Sequence, residues 1–474
     1  MKKPSFLKRV GHIHFVGIKG VGMTALACCA QDLGIEVSGS DVEEVFVTDK
    51  ILKQRKIHWK IGFEEKHLKP KPDLVITTGA HGGLANPEVV AAGKLKIPIL
   101  TQAQALGKFM EGKEGISVCG VGGKTTTSSM IATVLDNARK NPSFAIGVGE
   151  INSLGPAGKY DKGKEFITEA DEYANSPGID NRPKFSFQKP KVIVVTNVEY
   201  DHPDIYQNLE QTKEVFKKFF QVLPTNGLLV ACVDNPNTWD AVKDFQGNLQ
   251  TYGFSPRADW QIVSSYLGQE QIIFSLSHKK VIIDEIKIKV PGRYNVLNAT
   301  AAFAVGTFLG LDVKTIKNGL GRFTGTKRRF EFIGETNGVK IYDDYAHHPN
   351  EIKEVLMAAQ KWFPQNRLIA IFQPHTFSRT KALFNEFARS FSLAKMVVIT
   401  DIYSSARETD TLGISGKLLA EETRKCHSNV VYKSSGKEVV EFLKNEAKPN
   451  DIIMTLGAGN IFQWHKSILE ALRV

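Results

Sequence analysis

Twice in this chain a short apolar run passes through a glycine-rich turn into a helical pattern, and that order of elements is the building unit of a parallel α/β sheet. The first instance runs from HIHFV (12–16) through Gly17-Ile18-Lys19-Gly20-Val21-Gly22 to a helix over about 21–33. The second runs from GISVCG (115–120) through Val121-Gly122-Gly123 to a helix that begins at Lys124.

Further runs of strand length fill in around these units. In the first segment, 1–110, they fall at 35–39, leading to Asp41, and at 73–78 and 97–100. In the second, 111–325, they fall at 165–170, 191–197 and 227–233. Over 259–289 the pattern changes to short Ile- and Val-rich runs broken by polar residues and turns, as in antiparallel hairpins, and a helix is expected over 294–309. The third segment, 326–474, offers strands at 339–342, 367–372, 396–401, 429–432 and 451–456, with helices including 381–392 and 436–445. A chain of 474 residues suits three domains of roughly 150 residues each.

The second glycine turn carries the sharpest chemistry. Glycines at 120, 122 and 123 let backbone amides turn inward, and with the following helix N-terminus they form a site for polyphosphate. Lys124 offsets charge on the outer phosphates, and the Thr125 hydroxyl is suited to Mg²⁺. The spacing is tighter than the common G-x-x-x-x-G-K-[ST] pattern. The first turn, with Asp41 after the next strand, suits a nucleotide or dinucleotide, or simply packs helix on strand. A dehydrogenase would have no use for the second turn.

Acids and imidazoles gather at expected strand ends. Glu169-Ala170-Asp171-Glu172 offers the hard oxygens that Mg²⁺ prefers. Asp201-His202 could be a metal ligand or a general base. Tyr342-Asp343-Asp344-Tyr345-Ala346-His347-His348 and Phe372-Gln373-Pro374-His375-Thr376-Phe377-Ser378-Arg379 lie where α/β proteins place ligands.

Composition bounds the rest. Lys plus Arg number 61 and Asp plus Glu 50, a net charge of +11. The basic residues are spread along the chain without aromatic interleaving, which argues against nucleic acid and suits a surface that attracts anionic small molecules. Five cysteines without metal or redox spacing suggest a reducing compartment. With no leader pattern and no apolar run of the ~18–20 residues a span needs, the expectation is a cytoplasmic protein without a membrane partner.

The chain resembles the Mur ligases over nearly its whole length. The stretches that carry the resemblance are GIKGVGMTALA with SGSD, GVGGKTTTSSM, EADE, VTNVEYDHPDIY, GRYNVLNATAA, RRFE, YDDYAHHPNEI, FQPHTFSRT and LGAGNI, in family order. The resemblance implies an α/β fold of three domains: an N-terminal Rossmann-like domain (1–110) for a UDP-sugar, a central P-loop ATP-binding α/β domain with antiparallel strands (111–325), and a C-terminal Rossmann-like domain (326–474) for an amino acid. It implies ATP and Mg²⁺ as cofactors, UDP-N-acetylmuramate and L-alanine as substrates, an acyl phosphate intermediate, and a monomer or weak homodimer.

By that resemblance, Gly120, Val121, Gly122, Gly123, Lys124, Thr125 and Thr126 hold ATP, with Lys124 on the transferred phosphate. Thr125 and Glu169 hold one Mg²⁺ and His202 a second. Asn295 reads adenine, and Arg329 and Asp344 reach the nucleotide. His348 and Arg379 orient alanine and the acyl phosphate. Gly17, Gly20, Gly22, Ser40 and Asp41 line the UDP-sugar. Three positions depart from the usual pattern: Val121-Gly122 in place of Thr-His, Tyr294 in place of a histidine, and Thr376 in place of an arginine. The stretch EADEYANSPGIDNRPKF is also similar to the family's tripeptide-recycling ligases, which stand as the alternative; a nicotinamide-dependent oxidoreductase is the remote one.

Overall fold

The computed structural model describes residues 3–268, 270–404 and 408–473. The chain forms two compact units: Met1–Tyr266 with Ile272–Lys289 and Asn295–Thr326, and Leu267–Gln271 with Val290–Tyr294 and Lys327–Val474.

The first unit contains two large sheets besides the small antiparallel pair Ala174–Ser176 and Asp180–Pro183. One has five parallel strands in the order His58–Ile61, Glu36–Asp41, His12–Val16, Leu74–Thr77, Ile99–Thr101. The order reverses at His12–Val16, so the carboxyl ends of that strand and its neighbours open onto the first glycine turn, the usual ligand crevice of such sheets. The helix Val21–Asp32 starts there and is buried over most of its length, because GMTALACCA presents small apolar side chains on every face. The other sheet has ten strands. A parallel core of Leu249–Gly253, Leu228–Cys232, Val192–Val195, Glu114–Cys119, Glu165–Glu169 and Ser143–Ile151 holds the second glycine turn at its centre. At one end the strands Gln271–His278 and Val281–Ile288 form the antiparallel hairpin that the 259–289 pattern led one to expect.

These two sheets are joined through close backbone contact. A Cβ at Gly158 would lie 2.5 Å from the Cα of Ala25, so only glycine lets the first helix lie flat against the strand Gly155–Lys159. Asp32 accepts a hydrogen bond from the Tyr160 amide at 2.9 Å across the same seam.

The second unit carries a six-stranded sheet: Glu331–Thr336, Val339–Asp344, Asp451–Leu456, Arg367–Phe372, Met396–Ile399, Val430–Tyr432. All neighbours are parallel except the first pair. Its core is built from the alternating faces of these strands, with Ile369 and Ile371 on one side and Ala370 and Phe372 on the other.

Three expectations need correction. The strands Ser143–Ile151 and Gly155–Lys159 were not anticipated, because their glycines and prolines mask the strand pattern. The third sheet begins earlier than expected, at Glu331. The helix expected over 381–392 is two short helices, Phe377–Ala382 and Phe384–Ala388. The Glu408 carboxylate accepts from the Phe377 and Ser378 amides, so the first of these helices starts at Phe377.

Candidate active site

The second glycine turn is shaped by contacts that exclude side chains. Gly120 has φ +123° and Gly123 φ +85°. A Cβ at Gly120 would lie 2.7 Å from the Asn197 carbonyl oxygen, and one at Gly123 2.8 Å from Asn298 Oδ1. The Gly122 amide donates to Asn197 Oδ1 at 3.0 Å. The helix Lys124–Asn137 follows at once, and the amides of its first turn have no intrahelical acceptors. Val121 is half-buried and Thr126 buried.

Lys124 sits at this helix start with its Nζ donating to the Gly120 carbonyl at 2.6 Å and to Glu172 Oε2 at 3.3 Å. Burial works against its charge, but Glu172, Asp171 and Glu169 hold its pKa above the ordinary lysine value. It therefore stays cationic. Thr125 Oγ1 donates to Glu169 Oε1 at 2.9 Å, and the same oxygen accepts from the Gly147 amide at 2.8 Å.

His202 follows the strand Val192–Val195. It belongs with Asp171 and Glu172: one ligand atom from each of the three lies within 4.8 Å of the others. His202 Nε2 is 3.7 Å from Glu172 Oε1 and 3.6 Å from Asp201 Oδ2. The backbone of His202 is left-handed, φ +59°, a conformation uncommon outside glycine. Burial opposes protonation of the imidazole, but Asp201, Glu172 and Asp171 outweigh it and its pKa rises. Burial likewise opposes ionisation of Asp171, and Lys184, Lys124 and His202 overcome it, so its pKa falls below the ordinary carboxylate range. Glu172 Oε1 is buried and has no hydrogen-bond partner among the described residues. Two carboxylates and an imidazole, one oxygen left unsatisfied, are a donor set that fits a divalent cation. Asp171 and Glu172 were legible only as part of the EADE run; Glu169 was the one singled out.

Asn295 lies near this turn. Its Oδ1 accepts from Asn298 Nδ2 at 3.0 Å, and Asn298 Oδ1 in turn accepts from Thr127 Oγ1 at 3.1 Å.

The first glycine turn is held differently. The Gly17 and Ile18 amides donate to the Ser40 carbonyl at 2.9 and 3.2 Å, and the Lys19 amide donates to Asp41 Oδ2 at 2.7 Å. Gly17 has φ +79° and lies against Thr78. Gly20 precedes the helix, and a Cβ at Gly22 would lie 3.1 Å from Gln102 Nε2. Ser40 and Asp41, expected along a UDP-sugar, are themselves buried at 0% and 1% exposure. The Ser40 hydroxyl donates to Glu88, and the Asp41 carboxylate accepts the Lys19 amide. Both shape the turn from behind.

In the second unit, the Asp344 carboxylate accepts from the Phe330 and Ala346 amides, each at 2.8 Å. Burial raises its pKa to about 6, with Arg329 pulling the other way. The Arg329 guanidinium lies 5.1 Å from the Tyr345 ring centre. Its neighbour Arg328 turns inward, pairing with Asp343 at 2.9 Å and donating to the Gly457 and Gly459 carbonyls. His348 caps the helix Pro349–Trp362, and its Nε2 is buried without a hydrogen-bond partner among the described residues. Arg379 Nη1 lies 3.4 Å from His375 Nδ1, and the His375 ring is 6.0 Å from that of His347. The YDDYAHH and FQPHTFSR loops therefore meet. Thr376, between His375 and the helix, has φ +68°, a strained conformation for a β-branched residue.

Among the described residues no helix is long and apolar enough to cross a membrane. Three family profiles match in order: the Mur ligase family catalytic domain over 12–114, the Mur ligase middle domain over 118–306, and the Mur ligase glutamate ligase domain over 328–459. The chain is 41% identical to the UDP-N-acetylmuramate–L-alanine ligase of Carboxydothermus hydrogenoformans, over 95% of this chain and 94% of that one. It is 38% identical to the same-named enzyme of a Geobacter species, over 98% of both. Among solved structures, it is similar to the UDP-N-acetylmuramate–alanine ligase of Thermotoga maritima, with TM-score 0.81 and 28% identity over 97% of this chain and 98% of that one. It is also similar to a murein peptide ligase of Psychrobacter arcticus, with TM-score 0.73 and 26% identity over 98% of both. Matched end to end by sequence and by fold, the chain belongs to the Mur ligase family.

Proposed function

We propose that this chain joins L-alanine to the lactoyl carboxylate of UDP-N-acetylmuramate, using ATP to activate the acid, as a step in peptidoglycan precursor synthesis in the cytoplasm. The observation that carries the reading is the cationic Lys124 at a glycine turn, paired with Glu172, which His202 also approaches, in a chain 41% identical to an alanine ligase.

A carboxylate is a poor acyl donor because its leaving group would be oxide. Transfer of the ATP γ-phosphoryl group to the lactoyl carboxylate gives an acyl phosphate and ADP. The alanine amine then attacks the acyl carbon, and phosphate departs with the bonding electrons. Residues 1–110 bind the UDP-sugar through Gly17, Gly20, Gly22 and the turn that Ser40 and Asp41 support. Residues 111–325 bind ATP through the Gly120–Thr126 turn and Asn295. Residues 326–474 bind alanine, with Arg329 and Asp344 on the nucleotide, and His348 and Arg379 on alanine and the acyl phosphate.

Lys124 offsets the charge that builds on the transferred phosphoryl group. Thr125 with Glu169, and His202 with Glu172 and Asp171, would hold Mg²⁺, which when bound neutralises phosphate charge and draws electron density from the phosphoryl oxygens. The unpartnered His348 Nε2 is available to a ligand, and the Arg379 guanidinium provides a fixed charge for a carboxylate or phosphate.

A second reading, ligation of a recycled tripeptide, draws on the EADEYANSPGID stretch and the likeness to the murein peptide ligase. A panel of L-alanine, glycine, L-serine and the tripeptide, scored by phosphate release with ATP, Mg²⁺ and UDP-N-acetylmuramate, separates the two. The alanine reading expects release with L-alanine above all others. Release with the tripeptide and none with alanine would overturn it.

A further inference from the structure

Behind the first glycine turn lies a buried polar network that the reaction scheme does not use. Glu88, near the start of the helix Pro87–Lys94, is fully buried. Its Oε1 accepts from the Glu64 amide at 3.0 Å and from His67 Nδ1 at 2.7 Å. Its Oε2 meets His14 Nε2 at 3.2 Å and the Ser40 hydroxyl. One carboxylate thus ties together the strands carrying His14 and Ser40, the segment after His58–Ile61, and its own helix.

The chemistry of the network is ordered by the carboxylate. An ionised Glu88 only accepts, so His14 must carry its proton on Nε2 and His67 on Nδ1. In the tautomer with the proton on Nε2 alone, His14 Nδ1 accepts from Ser38 Oγ at 2.9 Å, and the Ser38 oxygen in turn accepts from His12 Nε2 at 2.7 Å. Every donor from His12 inward points toward Glu88. Burial of an ionised carboxylate is costly unless it is well hydrogen-bonded, and here both oxygens are.

The network also has an outlet. Ser40 gives its hydroxyl to Glu88, and its carbonyl receives the Gly17 and Ile18 amides. A shift of Ser40 therefore moves the glycine turn directly. We propose that Glu88 is a positioning residue for the UDP-sugar: it holds Ser40, and through Ser40 the Gly17–Ile18 turn, in the shape that receives the nucleotide diphosphate. This rests on the reading that residues 1–110 bind the UDP-sugar.

The test is calorimetric titration of the full chain with UDP-N-acetylmuramate, paired with steady-state kinetics. Binding by the unaltered protein comes first; its absence would defeat the reading of the first domain whatever Glu88 does. Glu88→Gln keeps the shape but turns an acceptor into a donor facing Ser40 or Glu64. The expected result is a Kd and KM for the UDP-sugar raised about 10-fold, with kcat at saturation and the KM for ATP within about twofold. Ser40→Ala should weaken UDP-sugar binding similarly, and the double variant should be about 10-fold weakened rather than about 100-fold, because the two act in one chain. A Glu88→Gln protein that binds the UDP-sugar as tightly as the original, or that loses ATP affinity and kcat in parallel, would overturn the proposal. Additive effects in the double variant would also overturn it, since they would mean Ser40 acts on the ligand independently of Glu88. Should Glu88→Gln fail to fold by circular dichroism, Ser40→Ala alone decides: unchanged UDP-sugar affinity there would overturn the relay.

Discussion

The two glycine turns begin from the same strand–turn–helix unit and become different devices. In the first, the amides of Gly17, Ile18 and Lys19 are already bound by Ser40 and Asp41. Its lysine, Lys19, is buried with Nζ on the Glu44 carbonyl, beside Asp49 and the rings of Phe46 and Trp59. In the second, Lys124 stands at the helix start and is kept charged by Glu172, Asp171 and Glu169, the first two of which also belong to the cation cluster. Glycine spacing sets the path of the backbone. The groups behind it decide whether the turn offers a fixed shape or a concentrated charge.

The largest expected effect breaks the second turn alone. Gly120→Ala pushes a methyl against Thr196 and the Asn197 backbone, and turnover should fall by about 10³-fold with UDP-sugar binding retained, read by phosphate release and calorimetry. Next come the carboxylate and imidazole. Glu172→Gln or His202→Ala should lower kcat about 10²-fold and raise the Mg²⁺ concentration for half-maximal rate; an unchanged Mg²⁺ response would remove these residues from the cation site. Gly17→Ala, which meets the movable Thr78 side chain, should raise the UDP-sugar KM about 10-fold and leave the ATP KM alone. Equal effects of the two alanine substitutions on both substrates would erase the contrast between the turns.

The smallest effect concerns pH. Asp344 loses its proton near pH 6; below that it becomes a weaker acceptor, so the KM for ATP should rise about 3-fold to 10-fold from pH 7 to pH 5, and Asp344→Asn should flatten the profile. The stability sign is opposite. The folded pKa lies above the ordinary 3.8, so the folded state holds this proton more tightly. The resulting stabilisation is present below about pH 4 and is lost as pH rises through 6.

Both turns, their helices and most parallel strands were legible because each is a local pattern of apolar period and glycine. What was hidden is tertiary. Glu172 and Asp171 meet His202, a juxtaposition that strand period cannot give once the strand has ended after Glu169. Arg328 turns into the core while Arg329 lies beside Asp344 and Tyr345, and the two are neighbours in sequence. Ser40 and Asp41 read as ligand contacts, and their burial against Glu88 and Lys19 was hidden because those partners come from other segments. The helix at Phe377 begins where Glu408, some thirty residues on, accepts its first amides.

On the proposed function, Lys124 grips the triphosphate next to a sugar-borne acid while the first turn holds the sugar independently. Lys124→Ala, titrated with UDP-N-acetylmuramate and assayed for phosphate release with ATP, Mg²⁺ and L-alanine, tests it directly. The expected result is UDP-sugar affinity within about twofold of the original and phosphate release at background. Phosphate release that survives the substitution, or UDP-sugar affinity lost together with it, would contradict the account.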